Sequence, residues 1–268
     1  MIKEKVINQV KELTGCKFVE IVLRGNSAID SCLSIIPKDK KLLIPEEGGW
    51  IHYKKAPQNL GLEFEEVKCD EAKINLLDLK QKLATKQFYA FIYDNPGGYF
   101  AEEPTEEIYQ VCKENDCLVF LDISGSIGTK YADTKNADLI LGSFGRWKPI
   151  NAEVGGFVAS NNEELWKQLS FSVLNDQDGL KTIQRKIAQL PTRLKYLTDL
   201  KKKVTQELSD MQIVHPNDYS LVVIVKYSDE DEKKNIINYC ENNKLPYTEC
   251  PRYIRLNDKA ISIEIKKL

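Results

Sequence analysis

Short apolar runs that alternate with amphipathic stretches constrain this chain more than any other feature. Strand-like runs stand at FVEIVLR, KLLIP, EFEEVK, AFIYD, CLVFLD, LILGSF and GGFVAS, most of them separated by helical stretches such as NLLDLKQKLAT and TEEIYQVCKEN. Strands that alternate with helices pair in parallel through right-handed crossovers. Runs such as CLVFLD are apolar at nearly every position rather than at every second one, as strands covered on both faces are. The expectation is an α/β large domain over residues 1–160 with a mainly parallel, seven-stranded sheet. After about residue 160 the texture changes. EELWKQLSFSVL and a long Lys-rich helix from about Leu180 to Asp210 lead into SLVVIVKY, a helix in DEDEKKNIINYCENN, and the strand pair RYIRL and AISIEIKKL. That pattern predicts a small α+β domain over residues 161–268.

Composition narrows the classes of function. A chain of 268 residues with 42% hydrophobic content can bury a full α/β core. Seven cysteines, an odd number without a Cys-x-x-Cys pair, argue against a disulfide framework and a zinc ribbon. Cys112 and Cys117 read instead as a buried helix residue and a strand-start residue in a reducing cytosol. His52 and His215 are the only histidines, so a metal site or a His-based triad has little material, and no metal is expected. A net charge of −2 leaves no electrostatic footprint for nucleic acid. The charged start MIKEKV, and the lack of any apolar run near about 18 residues, argue against a signal peptide and a membrane span. The expectation is a soluble, cytoplasmic protein.

Two residues carry the chemistry. Asp122 ends the run CLVFLD, and Gly125 and Gly128 then open a loop, so a carboxylate stands at the carboxyl edge of the sheet, where open α/β folds bind ligands. Lys148 follows LILGSF and reaches the same edge. An amine and a carboxylate that converge there suit a pyridine aldehyde cofactor, with the lysine forming a Schiff base and the acid keeping the ring nitrogen protonated. Neither residue alone requires this: a strand-end Asp also serves as a helix cap or turn former, and a single Lys is commonly a solvated charge.

With Asn95-Pro96, Asp122, Ser143-Phe144, Lys148 and Gly155-Gly156 in this order and spacing, the chain resembles fold-type I pyridoxal phosphate enzymes. It is most similar to the DegT-like sugar aminotransferases, in which a Ser-Phe pair precedes the Schiff-base lysine and a Gly-Gly pair follows it. RGNSAIDSCLSII resembles that family's Ser-Gly-Thr-Ala loop and helix, and the likeness covers roughly residues 15 to 160. The resemblance implies a pyridoxal 5'-phosphate site with Lys148 and Asp122 as catalytic residues. Gly25, Asn26 and Ser27 would form a phosphate-binding helix start, or an ordinary N-cap. Ser143 would add a phosphate hydroxyl, Trp50 a stacking ring or plain packing, and Asn95 a bond to the cofactor's phenolic oxygen, though Asn-Pro-Gly-Gly is also simply a strong turn.

The chain departs from the pattern in several places. Gly125 stands where the family usually carries His or Gln, Pro149 directly follows Lys148, Arg146 has no counterpart, and an amphipathic helix, MIKEKVINQVKELTG, stands where the family has an N-terminal arm. On the small domain, Arg255 within YIRL is the expected grip for a substrate carboxylate, in preference to Arg252 after Pro251, or else an exposed strand arginine. The resemblance implies a homodimeric aminotransferase for a small amino acid or an amino/keto sugar. A lyase or group transferase, or a compact non-catalytic relative acting as a binding or partner subunit, are the alternatives.

Overall fold

The computed structural model describes every residue from Met1 to Leu268. The chain opens with α1 (Ile2–Thr14), β1 (Phe18–Val22), α2 (Gly25–Leu33), β2 (Lys41–Pro45), α3 (His52–Leu60) and β3 (Phe64–Val67). A small hairpin of β4 (Cys69–Asp70) and β5 (Lys73–Ile74) leads to α4 (Leu76–Leu83), β6 (Phe88–Asp94), α5 (Thr105–Lys113), β7 (Leu118–Asp122), β8 (Leu139–Ser143) and β9 (Gly156–Ser160). All seven runs anticipated from the sequence form one sheet, ordered β1-β9-β8-β7-β6-β2-β3. The central pairs, from β3 through β2, β6 and β7 to β8, are parallel, and only β9 runs against its neighbours.

Both faces of this sheet are covered, which explains the unbroken apolar runs. Because side chains alternate along a strand, Leu43, Phe91, Val119, Leu121 and Ile140 pack with Val6 and Val10 of α1 and with Ile108 of α5. Their neighbours Leu42, Ile44, Ala90, Ile92 and Phe120 pack on the other face against Ile29 of α2 and Tyr53 of α3.

The chain continues with α6 (Glu163–Gln168), α7 (Gln177–Ala188), α8 (Leu190–Glu207), β10 (Val223–Lys226), α9 (Glu230–Asn242), β11 (Tyr247–Cys250) and β12 (Ala260–Ile263). Three differences from the sequence reading appear here. The anticipated boundary at residue 160 lies too early, because Leu180, Ile183, Ile187 and Leu190 belong to the core under α1 and the sheet. The long Lys-rich helix is two helices: Pro191 sits in the first turn of α8, and a proline that lacks its N–H cannot continue α7. RYIRL is no strand. Arg252 N–H bonds to Leu256 O and Arg255 N–H to Arg252 O, closing a turn, and the strand falls just before it at Tyr247–Cys250. The small antiparallel sheet therefore has the order β10-β12-β11. No helix is long and apolar enough to cross a membrane.

Candidate active site

The carboxyl ends of β6, β7 and β8 and the amino end of α2 meet around a cavity of about 370 Å3. Asp122, the last residue of β7, is buried there. Its Oδ2 accepts from the Tyr53 hydroxyl at 3.0 Å and its Oδ1 from the Ser124 N–H at 2.8 Å, so the carboxylate is held from both sides. Directly across the ladder, Asp94 ends β6 and lines the same cavity. Its Oδ1 has no hydrogen-bond partner. Burial, then the neighbouring Asp122, pushes the Asp94 carboxyl well above the usual carboxylate range.

Lys148 lies in the loop after β8, and its half-buried amine donates to the Tyr99 hydroxyl. The amine stands 5.1 Å from the centre of the Trp50 ring and 4.4 Å from that of Tyr99. Burial lowers its pKa to about 8, against the pull of Asp122 and with the help of the Arg255 charge. The loop is fixed by Arg193 of α8, whose Nε donates to Lys148 O at 3.4 Å while Nη2 donates to Lys266 O at 3.0 Å. The sequence carried no sign of this clamp, because one Arg in a Lys-rich helix reads as a solvated charge.

At the opposite end, Gly25 and Asn26 begin α2, where the first amides lack an intrahelical acceptor. A Cβ on Gly25 would lie 2.6 Å from Ser143 Cβ, so only glycine allows the helix start and the end of β8 to approach this closely. Ser143 Oγ accepts from Gly145 N–H at 3.1 Å, and the Ser143 N–H donates to Ser124 Oγ at 2.8 Å. Trp50, 36% exposed, donates from Nε1 to Asn26 Oδ1 at 2.9 Å. Lys148, Asp122, Gly25, Asn26, Trp50 and Ser143 thus line one cavity, as does Tyr99, which the sequence reading missed.

Other expected residues stand elsewhere. Ser27 lies on the first turn of α2 but does not line the cavity. Asn95 is turned away from it: its Nδ2 donates to Tyr131 O at 2.8 Å and its Oδ1 accepts from Glu103 N–H at 3.1 Å, and Asp94 takes the place beside Asp122. Gly125 brings no side chain, yet a Cβ there would meet Tyr99 Cδ1 at 3.1 Å, so the Tyr99 ring fills the space that a side chain at 125 would occupy. Arg255 is 2% exposed and held in an ion pair with Glu264 at 2.8 Å; the partner, rather than a strand, fixes it. It borders a neighbouring cavity instead of the one around Asp122. Arg146 is paired with Glu153 at 2.8 Å.

Residues 187–268 match the model of the MJ1341 family C-terminal domain. No curated protein matches the sequence. Among solved structures, serine palmitoyltransferase from S. paucimobilis with bound PLP–myriocin aldimine shares the fold. It has 14% identity over 98% of this chain and 71% of its own, with a TM-score of 0.76. The histidinol-phosphate aminotransferase from Clostridium acetobutylicum matches with 15% identity over 98% of this chain and 84% of its own, at a TM-score of 0.72. The PLP-bound C-S lyase from Staphylococcus hominis matches with 17% identity over 99% of this chain and 79% of its own, at a TM-score of 0.68. At these identities the likeness establishes the fold, which is that of fold-type I pyridoxal phosphate enzymes.

Proposed function

We propose that the protein is a pyridoxal phosphate enzyme in which Lys148 is the covalent lysine and Asp122 faces the ring nitrogen. The observation that carries this reading is the cavity itself, which gathers a half-buried amine of lowered pKa, a strand-end carboxylate and a helix amino terminus. The donor set fits the group. Free amides of α2 and the Ser143 hydroxyl suit a phosphate, the glycine-only approach at residue 25 sets the helix start beside that hydroxyl, and Trp50 offers a ring face. When bound, the cofactor supplies a carbonyl for the lysine and a pyridinium ring that withdraws electrons from a substrate carbon.

The chain's own groups do the rest. A lysine with a pKa near 8 has an appreciable neutral share at neutral pH, and only the neutral amine is a nucleophile. Tyr53 and Ser124 hold the Asp122 carboxyl group in one orientation, so it needs no rearrangement to face the ring. Tyr99 contacts the lysine amine and is placed to hold it or to share a proton with it. Solved structures with this fold include a transferase, an aminotransferase and a lyase, so the reaction is read from the motif spacing. Ser143-Phe144, Lys148 and Gly155-Gly156 support an aminotransferase of the DegT-like kind, acting on a small amino acid or an amino/keto sugar, as a homodimer. The two fixed hydrogen bonds on Asp122 favour a working site over a non-catalytic relative.

The test is spectroscopic. The purified protein, incubated with pyridoxal phosphate, should gain the absorbance of a lysine-bound cofactor. Borohydride should then fix the label on the peptide that carries Lys148, and Lys148→Ala should lose the label. A protein that gains no band after incubation overturns the proposal.

A further inference from the structure

Beside the cavity around Asp122 lies a second one, of about 390 Å3, which shares Trp50, Tyr99, Ser143 and Lys148 with it. Its far wall comes from the small domain and carries Arg252, Arg255, Lys266 and Lys267. Glu264 is the one carboxylate on that wall, and it is already engaged, at 2.8 Å by Arg255 and at 3.7 Å by Lys266. No other carboxylate lines the chamber to offset Arg252 or Lys267. Trp147 faces both lysines, its ring centre 4.9 Å from Lys267 Nζ and 6.0 Å from Lys266 Nζ.

Arg252, Arg255 and Lys267 around a single carboxylate are an unbalanced arrangement for a partly dry site. Lys266 is only 5% exposed, and burial together with the Arg255 and Lys148 charges lowers its pKa to about 6. An anion in the chamber would reverse that cost. A carboxylate offsets one charge and is satisfied by a single guanidinium fork. A phosphate carries roughly −1.5 to −2 at neutral pH and three acceptor oxygens, and so matches several cations at once.

We propose that this chamber is a subsite for a phosphate group on the substrate, gripped by Arg252, Lys266 and Lys267, with the reacting amine end turned toward Lys148. The substrate class is then a phosphorylated amino compound. This rests on the function proposed above for the reacting end alone; the cationic wall is a property of the chain by itself.

The experiment is a calorimetric titration, at low salt, of protein loaded with pyridoxal phosphate. The probes are O-phospho-L-serine, L-serine and inorganic phosphate. The phosphorylated amino acid should bind at least about tenfold more tightly than L-serine, as charge-assisted bonds imply. Inorganic phosphate should compete with it, and the double variant Arg252→Ala/Lys267→Ala should erase the difference while leaving the affinity for L-serine unchanged. Equal binding of the two amino acids, or a preference that survives the double substitution, overturns the subsite. If the protein takes up no cofactor, the proposed function fails separately, and the unloaded protein still decides the chamber. Inorganic phosphate binding that is lost in the double variant supports it, and binding that is absent or unaffected overturns it.

Discussion

Lys148 sits where burial and charge pull in opposite directions. Burial and Arg255 lower its pKa while Asp122 raises it, and the outcome is about 8 against an ordinary 10.5. The sign of the pH effect follows: below that value the amine is protonated and cannot attack, and above it the nucleophile is free. Cofactor uptake should therefore accelerate as pH rises through about 8 and then level off. In Asp122→Asn the raising influence is gone, so the half-point of the profile should move to lower pH. Stopped-flow absorbance on mixing with pyridoxal phosphate measures both, and a profile that does not respond to the substitution would show that the two groups are uncoupled. The same neighbourhood shows what a sequence can say of single residues. Asp122 was legible because a strand end dictates where a side chain emerges, and Lys148 because its loop follows the next strand along the same edge. The position of Asn95 was not legible: the turn after β6 commits its amide to Tyr131 and Glu103, and period-two alternation leaves Asp94 facing the cavity.

Among the elements, the amino end of α2 depends most on one residue. Gly25 lets the helix start press against Ser143 with no room for a methyl group. Gly25→Ala should push α2 and β8 apart, costing about 1–3 kcal/mol of stability as overpacking does, and should weaken cofactor binding further. Denaturant unfolding and cofactor titration measure the two effects, and an alanine variant of unchanged stability would mean that the helix start yields freely. Elements of the large domain were legible because their apolar runs are long and covered on both faces. The small domain was less so. YIRL alternates like a strand, yet the Arg255–Glu264 ion pair and the Arg252–Leu256 backbone bond fold it into a turn. Those partners lie outside the local pattern. The break between α7 and α8 was visible in Pro191, but continuous Lys-rich periodicity concealed it.

At the scale of the molecule, exposed Leu23, Trp50, Ile51 and Trp147 include three residues that line the two cavities, and they leave apolar surface at the site. Such surface near a cleft suits a second copy of the chain, the proposed homodimer. Sedimentation at micromolar concentration should show a dimer, and Ile51→Asp should shift it toward monomer; a monomeric parent protein would refute the arrangement. By itself, the sequence determined the sheet, its seven strands, the order of helices between them and the sheet edge at which Asp122 and Lys148 stand. It did so because hydrophobic periodicity and strand-end geometry are local. Only the tertiary structure decided that the large unit extends to Leu190 and that Tyr99 occupies the space over Gly125. The same holds for Arg193 clamping the Lys148 loop, and for Arg252, Lys266 and Lys267 gathering beside the lysine. Each of these depends on which distant segments meet, and the burial and charge that tune Lys148 exist only once they have met.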